Sequence, residues 1–230
     1  MYRNFKLLPW QMMGCAALLL GNGSTAQAQS LPPQPILLAQ STQTTDPHAL
    51  YEKGDKFYDL GTLEGYQQAI LLYKEALKGY EQDGYLLMQA FLNNHIGIIY
   101  NALGYQQEAL EYFQKALLLF NVRAELSQGI TTAYILNNIG TVYDILGEKQ
   151  QALEHFQQAL VQEDHNNISK GISLNNIGRI FSDLGEKQQS LDSFQQALTL
   201  FQEEKDLMGE AVSLYDIGRV YSDLGNQPNY

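Results

Sequence analysis

The sequence predicts an all-α fold in which one helix pair is repeated along the chain. The strongest observation is a string, LNNIGTVY at 136–143, that returns as LNNIGRIF at 174–181. Looser copies surround Gly97 and Gly218, so the motif glycine recurs after 43, 38 and 40 residues. A period near 40 residues indicates one supersecondary unit that stacks on neighbouring copies of itself.

Each copy predicts a first and a second helix. Leu136, Ile139 and Tyr143 share one helix face with the motif glycine, Gly140. Gly147 follows seven residues later and ends the first helix, because glycine readily adopts the left-handed C-cap conformation. The second helix carries an apolar stripe made of Ala152, Phe156, Ala159 and Leu160. We expect the small residues to let the two helices approach closely.

These offsets resemble those of the tetratricopeptide repeat (TPR), a family with Gly, Tyr, Ala, Phe and Ala at fixed positions. Three copies match, at Gly140, Tyr143, Ala152, Phe156 and Ala159; at Gly97, Tyr100, Ala109, Phe113 and Ala116; and at Gly178, Phe181, Phe194 and Ala197, with Ser190 replacing an Ala. A degenerate first copy has Gly54, Phe57, Ala69, Tyr73 and Ala76. The family's terminal Pro is missing, and the long period resembles the repeats of kinesin light chain and of exported bacterial proteins.

The resemblance covers residues 47–230 and implies a right-handed solenoid of about four and a half repeats. The expected helices span 47–60, 66–82, 85–103, 105–120, 124–146, 148–164, 168–184, 186–203 and 207–224. Junctions are expected at Asp83-Gly84, Gly129, Gly171 and Gly209. The last repeat is incomplete, so we expect a face of its helix to lack a partner, at Ile217, Val220, Tyr221 and Leu224.

The N-terminal residues are typical of an export signal. Arg3 and Lys6 precede an apolar stretch, and residues 26–28 (Ala-Gln-Ala) form a small-x-small cleavage site. A signal peptide over 1–28 is therefore expected, and the alternative is a membrane anchor, which needs roughly 20 apolar residues. Residues 29–46 are rich in Pro, Gln and Thr and predict a disordered linker.

Charge and cysteine content exclude several classes of function. The net charge is −11, and removal of residues 1–28 takes away two cations and no acid, giving −13. Such acidity argues against binding to nucleic acids or anionic membranes, because phosphates need Lys and Arg. Cys15 is the only cysteine and lies in the signal. The mature chain would then have no disulfide, no thiolate metal site and no cysteine nucleophile.

No residue pattern predicts catalysis, a metal site or a cofactor site. The four histidines, His48, His95, His155 and His165, are not paired at metal-ligand spacing. The glycines are isolated, so no phosphate-binding loop is present. We therefore expect no enzyme activity.

Repeated polar residues on the first helices are the candidate peptide-binding site. Asparagine is unfavourable inside helices, yet it recurs at Asn94, Asn137, Asn138, Asn175 and Asn176. We group Asn94 with the second Asn of each pair, in one row that includes Asn138 and Asn176. The row either grips the backbone of an extended peptide through its amides or bonds to neighbouring helices and fixes their stacking.

Two arginines follow the motif glycine in successive copies. Arg179 and Arg219 occupy an offset that points into the groove in the TPR family. They either bind a carboxylate or phosphate of the partner or pair with acids on their own helix, the candidates being Asp183, Asp216 and Asp223.

The sequence therefore predicts a secreted or periplasmic scaffold that binds a protein or peptide segment in its concave groove. One alternative is the regulatory TPR half of a truncated CHAT-type peptidase, inactive by itself, since such arrays often precede that domain. A further alternative is self-association through the C-terminal face.

We expect the mature protein to begin near Gln29, because the cleavage site follows a basic and then an apolar segment. N-terminal sequencing of the exported protein checks this. Retention of Met1 would contradict the signal peptide.

Overall fold

The computed structural model describes residues 46–122, 132–162 and 167–225, and within these ranges the regular secondary structure is helical. The described residues fall into two compact units, one made of residues 46–122 and the other of residues 132–162 and 167–225. The first unit contains α1 (Pro47–Tyr58), α2 (Leu63–Gln82), α3 (Leu86–Ala102) and α4 (Gln106–Val122). None of the described helices is long and apolar enough to cross a membrane.

The second unit contains two further pairs and a last helix. Its elements are α5 (Thr132–Ile145), α6 (Lys149–Leu160), α7 (Asn167–Asp183), α8 (Lys187–Glu204) and α9 (Leu207–Gly225). Within this unit each helix packs on its successor, and the first helix α7 also packs on the first helices α5 and α9.

The predicted helices are confirmed within the described ranges. The largest difference is at α2, which begins at Leu63 and not at 66, because the Thr62 hydroxyl caps it by accepting a bond from the Gly65 amide at 3.0 Å. The predicted signal peptide, nearly all of the linker, and the predicted helical residues 124–131, 163 and 164 lie outside the described residues.

The helix-ending role predicted for Gly147 is confirmed, and two further glycines repeat it. Gly104, Gly147 and Gly185 have φ angles of 83°, 79° and 81°. In each turn the amide of the next residue donates to the carbonyl five residues earlier, as from Glu148 to Tyr143 at 2.9 Å. This is a Schellman cap, and it reverses the chain in a short turn so that the second helix packs against the first.

The motif glycine of each complete repeat lies under an aromatic ring of the second helix. A Cβ built on Gly140 would lie 2.6 Å from Cε1 of Phe156, and the same contact recurs between Gly97 and Phe113 and between Gly178 and Phe194. The ring of Phe156 is 1% exposed. Close packing at the motif glycine therefore holds each pair together.

Two of the expected junction glycines serve packing instead. Gly171 and Gly209 lie near the starts of α7 and α9, and a Cβ on either would collide with the ring of Phe201. Phe201 is 1% exposed, so the two glycines seat this ring between successive first helices. Gly129 lies outside the described residues.

The outer face of α9 is as exposed as predicted, with one exception. Tyr221 and Leu224 are 61% and 44% exposed, and Ile217 is half-buried. Val220 is 1% exposed, so its predicted exposure is wrong. α9 packs on α7 and α8, and Val220 faces that side.

A histidine is buried in the core of the first unit. His95 is 1% exposed, its ring stacks on Phe91 with centroids 4.2 Å apart, and Tyr73 meets it edge-on at 6.0 Å. The ring nitrogen Nδ1 lies 3.0 Å from the Phe91 carbonyl, which fits donation from a neutral imidazole. Burial lowers the pKa of His95, although the Phe91 carbonyl and the Asp55 charge oppose the shift.

Substitution of Gly140 by Ala should destabilise the protein by about 1–3 kcal/mol, because the new methyl overlaps the Phe156 ring. Gly218 in α9 is the matched control, since no atom lies within 4 Å of its Cβ position. Gly218→Ala should stabilise by about 0.5–1 kcal/mol through helix propensity alone. Urea unfolding followed by circular dichroism measures both variants, and equal effects would contradict the packing role of Gly140.

The buried His95 should make stability fall on acidification. Its folded-state pKa is lower than the unfolded value of about 6.5. The unfolded chain therefore binds more protons below that pH, and stability is lost as the pH falls from about 6.5 towards the folded pKa. The variant His95→Asn should lose this pH-dependent contribution to stability. Asparagine is the residue that occupies the same position, two residues before Gly140 and Gly178, in two other repeats. Unfolding free energies of parent and variant between pH 8 and pH 5 provide the measurement, and parallel pH profiles would contradict it.

Candidate functional site

The predicted site residues lie on first helices, six of them in the second unit. α5 carries Asn137 and Asn138, α7 carries Asn175, Asn176 and Arg179, and α9 carries Arg219. Asn94 lies on α3 in the first unit. The packing of α7 on α5 and on α9 brings the six residues of the second unit onto adjacent helices.

The first Asn of each pair bonds to a serine on the next first helix. The Asn137 amide donates to Oγ of Ser173 at 2.8 Å, and Ser213 Oγ lies 3.0 Å from the amide oxygen of Asn175. Both asparagines are 3% exposed and both serines are fully buried. These contacts support the stacking role that the sequence left open, while peptide binding by Asn137 and Asn175 stays a prediction.

Both serines also bond within their own helix. Ser173 donates to the carbonyl of Ser169 at 3.1 Å, and Ser213 to that of Gly209 at 3.0 Å. A hydroxyl has one proton, so Ser213 bonds to both neighbours when Asn175 turns its amide nitrogen towards it, as Asn137 does towards Ser173. The same bridge then joins α5 to α7 and α7 to α9.

The second Asn of each pair lies two residues before its motif glycine, and an acid occupies this position in the last copy. Asn138 is half-buried, Asn176 is 8% exposed, and Asp216 occupies the equivalent position before Gly218. The grouping of Asn94 with this row is wrong, because Asn94 lies three residues before its motif glycine, as Asn137 does. Asn94 is 4% exposed, and its role in binding stays a prediction.

The positive charges of two arginines favour the ionised form of one buried carboxylate. Nη1 of Arg219 lies 3.4 Å from Oδ1 of Asp216, which is 5% exposed. Burial raises the pKa of Asp216, and the charges of Arg179 and Arg219 oppose that shift without cancelling it. Arg179 is half-buried and the Arg219 side chain is 48% exposed. The cluster keeps an excess of positive charge on a partly open surface.

Lysines hold the other two acids that were candidates for pairing with the arginines. Nζ of Lys149 lies 2.6 Å from Asp183, and Nζ of Lys187 lies 3.2 Å from Asp223. Lys149 also contacts Asp144 at 2.5 Å. Burial alone would lower the pKa of Lys149, but its bonds to the two carboxylates raise it overall. Each lysine thus links its own repeat to the next first helix, and Asp216 is the acid that faces the arginines.

Sequence reasoning missed the partners that fix this surface. Ser173 and Ser213 each lie five residues before a motif glycine, and Lys149 and Lys187 each belong to an LGEKQ string, at 146–150 and 184–188. Both recurrences were available as signals. Across the described residues, no group of three or more His, Cys, Asp and Glu side chains could hold a metal ion.

Comparison with known proteins identifies the repeat. Residues 88–160 and 172–204 match two family models, each described as a tetratricopeptide repeat. No curated protein matches the sequence at a significant level. The fold is similar to a crystal structure of nearly identical TPR-like repeats from a Podosopora anserina protein assigned as a kinesin light chain.

That structural likeness has a TM-score of 0.58 and covers 78% of this chain and 87% of the other, at 16% sequence identity. At that identity it bears on the fold alone. The family matches agree with it and with the glycine-to-aromatic packing of the described helix pairs. The chain is a tetratricopeptide-repeat protein, and its fold class is the all-α TPR solenoid.

Proposed function

We propose that the protein is a non-enzymatic scaffold that binds an extended segment of another protein in a groove along α5, α7 and α9. Tetratricopeptide repeats generally mediate protein–protein interactions, which supports the scaffold role. The position of the polar residues on first helices supports the groove, since in this family the first helices line it.

The observation that carries the proposal is the charge of the Arg179–Asp216–Arg219 cluster. Two guanidinium groups face one carboxylate, and the neighbouring Asp183 and Asp223 are bonded to lysines. A planar guanidinium binds carboxylate or phosphate through paired hydrogen bonds. The segment that fits this surface carries an acidic group, although the protein as a whole is acidic.

The asparagines divide into two roles in this proposal. Asn137 and Asn175 position the helices through their serine bonds. Asn138 lies on α5 and Asn176 on α7, and in this proposal their amide groups bond to the backbone of an extended segment. In this proposal the asparagine amides bind the main chain of the segment, and the arginines bind its acidic group.

Two finer proposals concern the setting of the scaffold. Export to the periplasm or the exterior follows from the N-terminal pattern of residues 1–28. The alternative role, as the regulatory part of a CHAT-type peptidase, is tested by the coding sequence downstream of Tyr230. A reading frame for a peptidase domain there would favour it over a separate scaffold.

Removal of both arginines should abolish the preference for acidic ligands. Peptides selected from a displayed random library on the chain from residue 29 are expected to be enriched in Asp and Glu. Arg179→Gln with Arg219→Gln should weaken binding of a selected fluorescent peptide by about tenfold or more at low salt, with a smaller effect at high salt, because exposed charges are screened. Fluorescence anisotropy measures the affinities.

Lys78→Gln is the matched control, since it removes one exposed cation from α2 and should leave the affinity unchanged. The double change Asn138→Ala with Asn176→Ala should also weaken binding about tenfold, with helix content retained. Loss of helix content in that variant would assign these asparagines to stacking. Unchanged affinity in the arginine variant would overturn the proposed groove.

A further inference from the structure

An acidic residue in the first unit occupies the repeat position of the two arginines. Asp55 follows Gly54 directly, as Arg179 follows Gly178 and Arg219 follows Gly218. It lies in α1 and is half-buried. The same offset from the motif glycine thus presents a negative charge in the first repeat.

The Asp55 carboxylate is held by phenol groups. The Tyr73 hydroxyl donates to Oδ1 at 2.5 Å, and the Tyr51 phenol lies beside the same carboxylate. Burial, together with the Asp55 charge, raises the pKa of both phenols, so each keeps the proton that it donates. The carboxylate is fixed in place, and its charge is not neutralised by these neutral groups.

The two phenols that contact this carboxylate belong to a cluster of aromatic rings. Tyr51 meets Phe91 edge-on with centroids 5.5 Å apart and stacks on Tyr73 at 6.2 Å. Tyr58 lies 6.3 Å from the ring of His95, which stacks on Phe91. Tyr51, Tyr58 and Phe91 are half-buried, whereas Tyr73 and His95 are buried. The cluster therefore combines three partly accessible rings with two buried ones.

No cation of the described residues offsets the charge of Asp55. Among them, no Lys, Arg or His nitrogen lies within 4.0 Å of its carboxylate. His95 senses the Asp55 charge, but the burial of its ring favours the neutral form. Elsewhere in the unit the chain supplies its own cations to rings, with Lys74 Nζ 5.2 Å from the Tyr100 ring and Lys115 Nζ 4.7 Å from the Tyr112 ring.

We propose that Asp55 and the rings of Tyr51, Tyr58 and Phe91 form a second binding position, which takes a lysine or arginine side chain of a partner protein. A cation at this position would pair with a fixed, half-buried carboxylate and lie against aromatic faces, which attract it through their quadrupoles. The position extends the scaffold function to the first unit and does not use the Arg179–Arg219 row.

The test uses three short capped peptides, acetyl-Ala-Arg-Ala-amide, acetyl-Ala-Lys-Ala-amide and the neutral acetyl-Ala-Gln-Ala-amide. Aromatic ¹H–¹³C spectra of the chain from residue 29 should show saturable shifts of the Tyr51 and Phe91 signals with the Arg or Lys peptide. The Gln peptide should leave these signals in place. Asp55→Asn keeps an acceptor for the Tyr73 hydroxyl and removes the charge, so it should weaken cation binding by about tenfold or more.

Glu75→Gln on α2 is the matched control, because it removes one exposed carboxylate from the same unit and should change the affinity by less than about twofold. The variant Tyr51→Leu leaves Asp55 and its Tyr73 bond intact and should also weaken binding. It keeps the test decisive if Asp55→Asn fails to fold, as judged by thermal melting.

Normal binding of the Arg and Lys peptides by folded Asp55→Asn or by Tyr51→Leu would overturn the proposal. Equal shifts with the Gln peptide would do the same, as would shifts with none of the peptides. The variant Arg179→Gln with Arg219→Gln should behave as the parent in this assay, which separates failure here from failure of the proposed groove.

Discussion

The contact between a motif glycine and an aromatic ring is the interaction on which each helix pair depends. At Gly140 the backbone of α5 approaches the Phe156 ring so closely that a Cβ would overlap it. The contact needs the glycine on one helix and the small residues Ala152 and Ala159, both fully buried, on the other. Because this contact uses one face of the first helix, the other faces of that helix stay available for other contacts.

Polar bonds then fix how successive repeats meet within the second unit. Each junction has a buried bridge between Asn and Ser and an exposed bridge between Lys and Asp. Exposed ion pairs contribute little stability, but a buried hydrogen bond that loses its partner costs about 1–3 kcal/mol. The buried bridges therefore specify which turns of α5, α7 and α9 lie side by side, and with them the spacing of the arginines. The lysines have a second effect, because they hold acids that could otherwise neutralise the arginines.

The fold could be predicted from the sequence because its determinants recur. The motif glycine, the helix-ending glycine and the aromatic residue each return at about one offset, and each has a local physical meaning. The candidate site could be predicted only in part. The sequence allows Asn137 to bind a peptide or to bridge two helices, and the bridge depends on Ser173, 36 residues away. No local sequence pattern predicts a contact over that separation. Asp55 was missed for another reason, since its repeat is degenerate and its neighbours there are tyrosines.

The position after the motif glycine has a consequence for how such a protein can change its partners. It holds Asp55, Ile98, Thr141, Arg179 and Arg219 in the five copies. In four of these copies the glycine beside it packs against an aromatic ring, while the side chain itself is acidic, apolar, hydroxylic or basic. One residue in each repeat of roughly 40 therefore sets the local charge of the first helix without taking part in the contact that holds the helix pair together. A substitution at such a codon redirects recognition while the contact between glycine and ring stays in place.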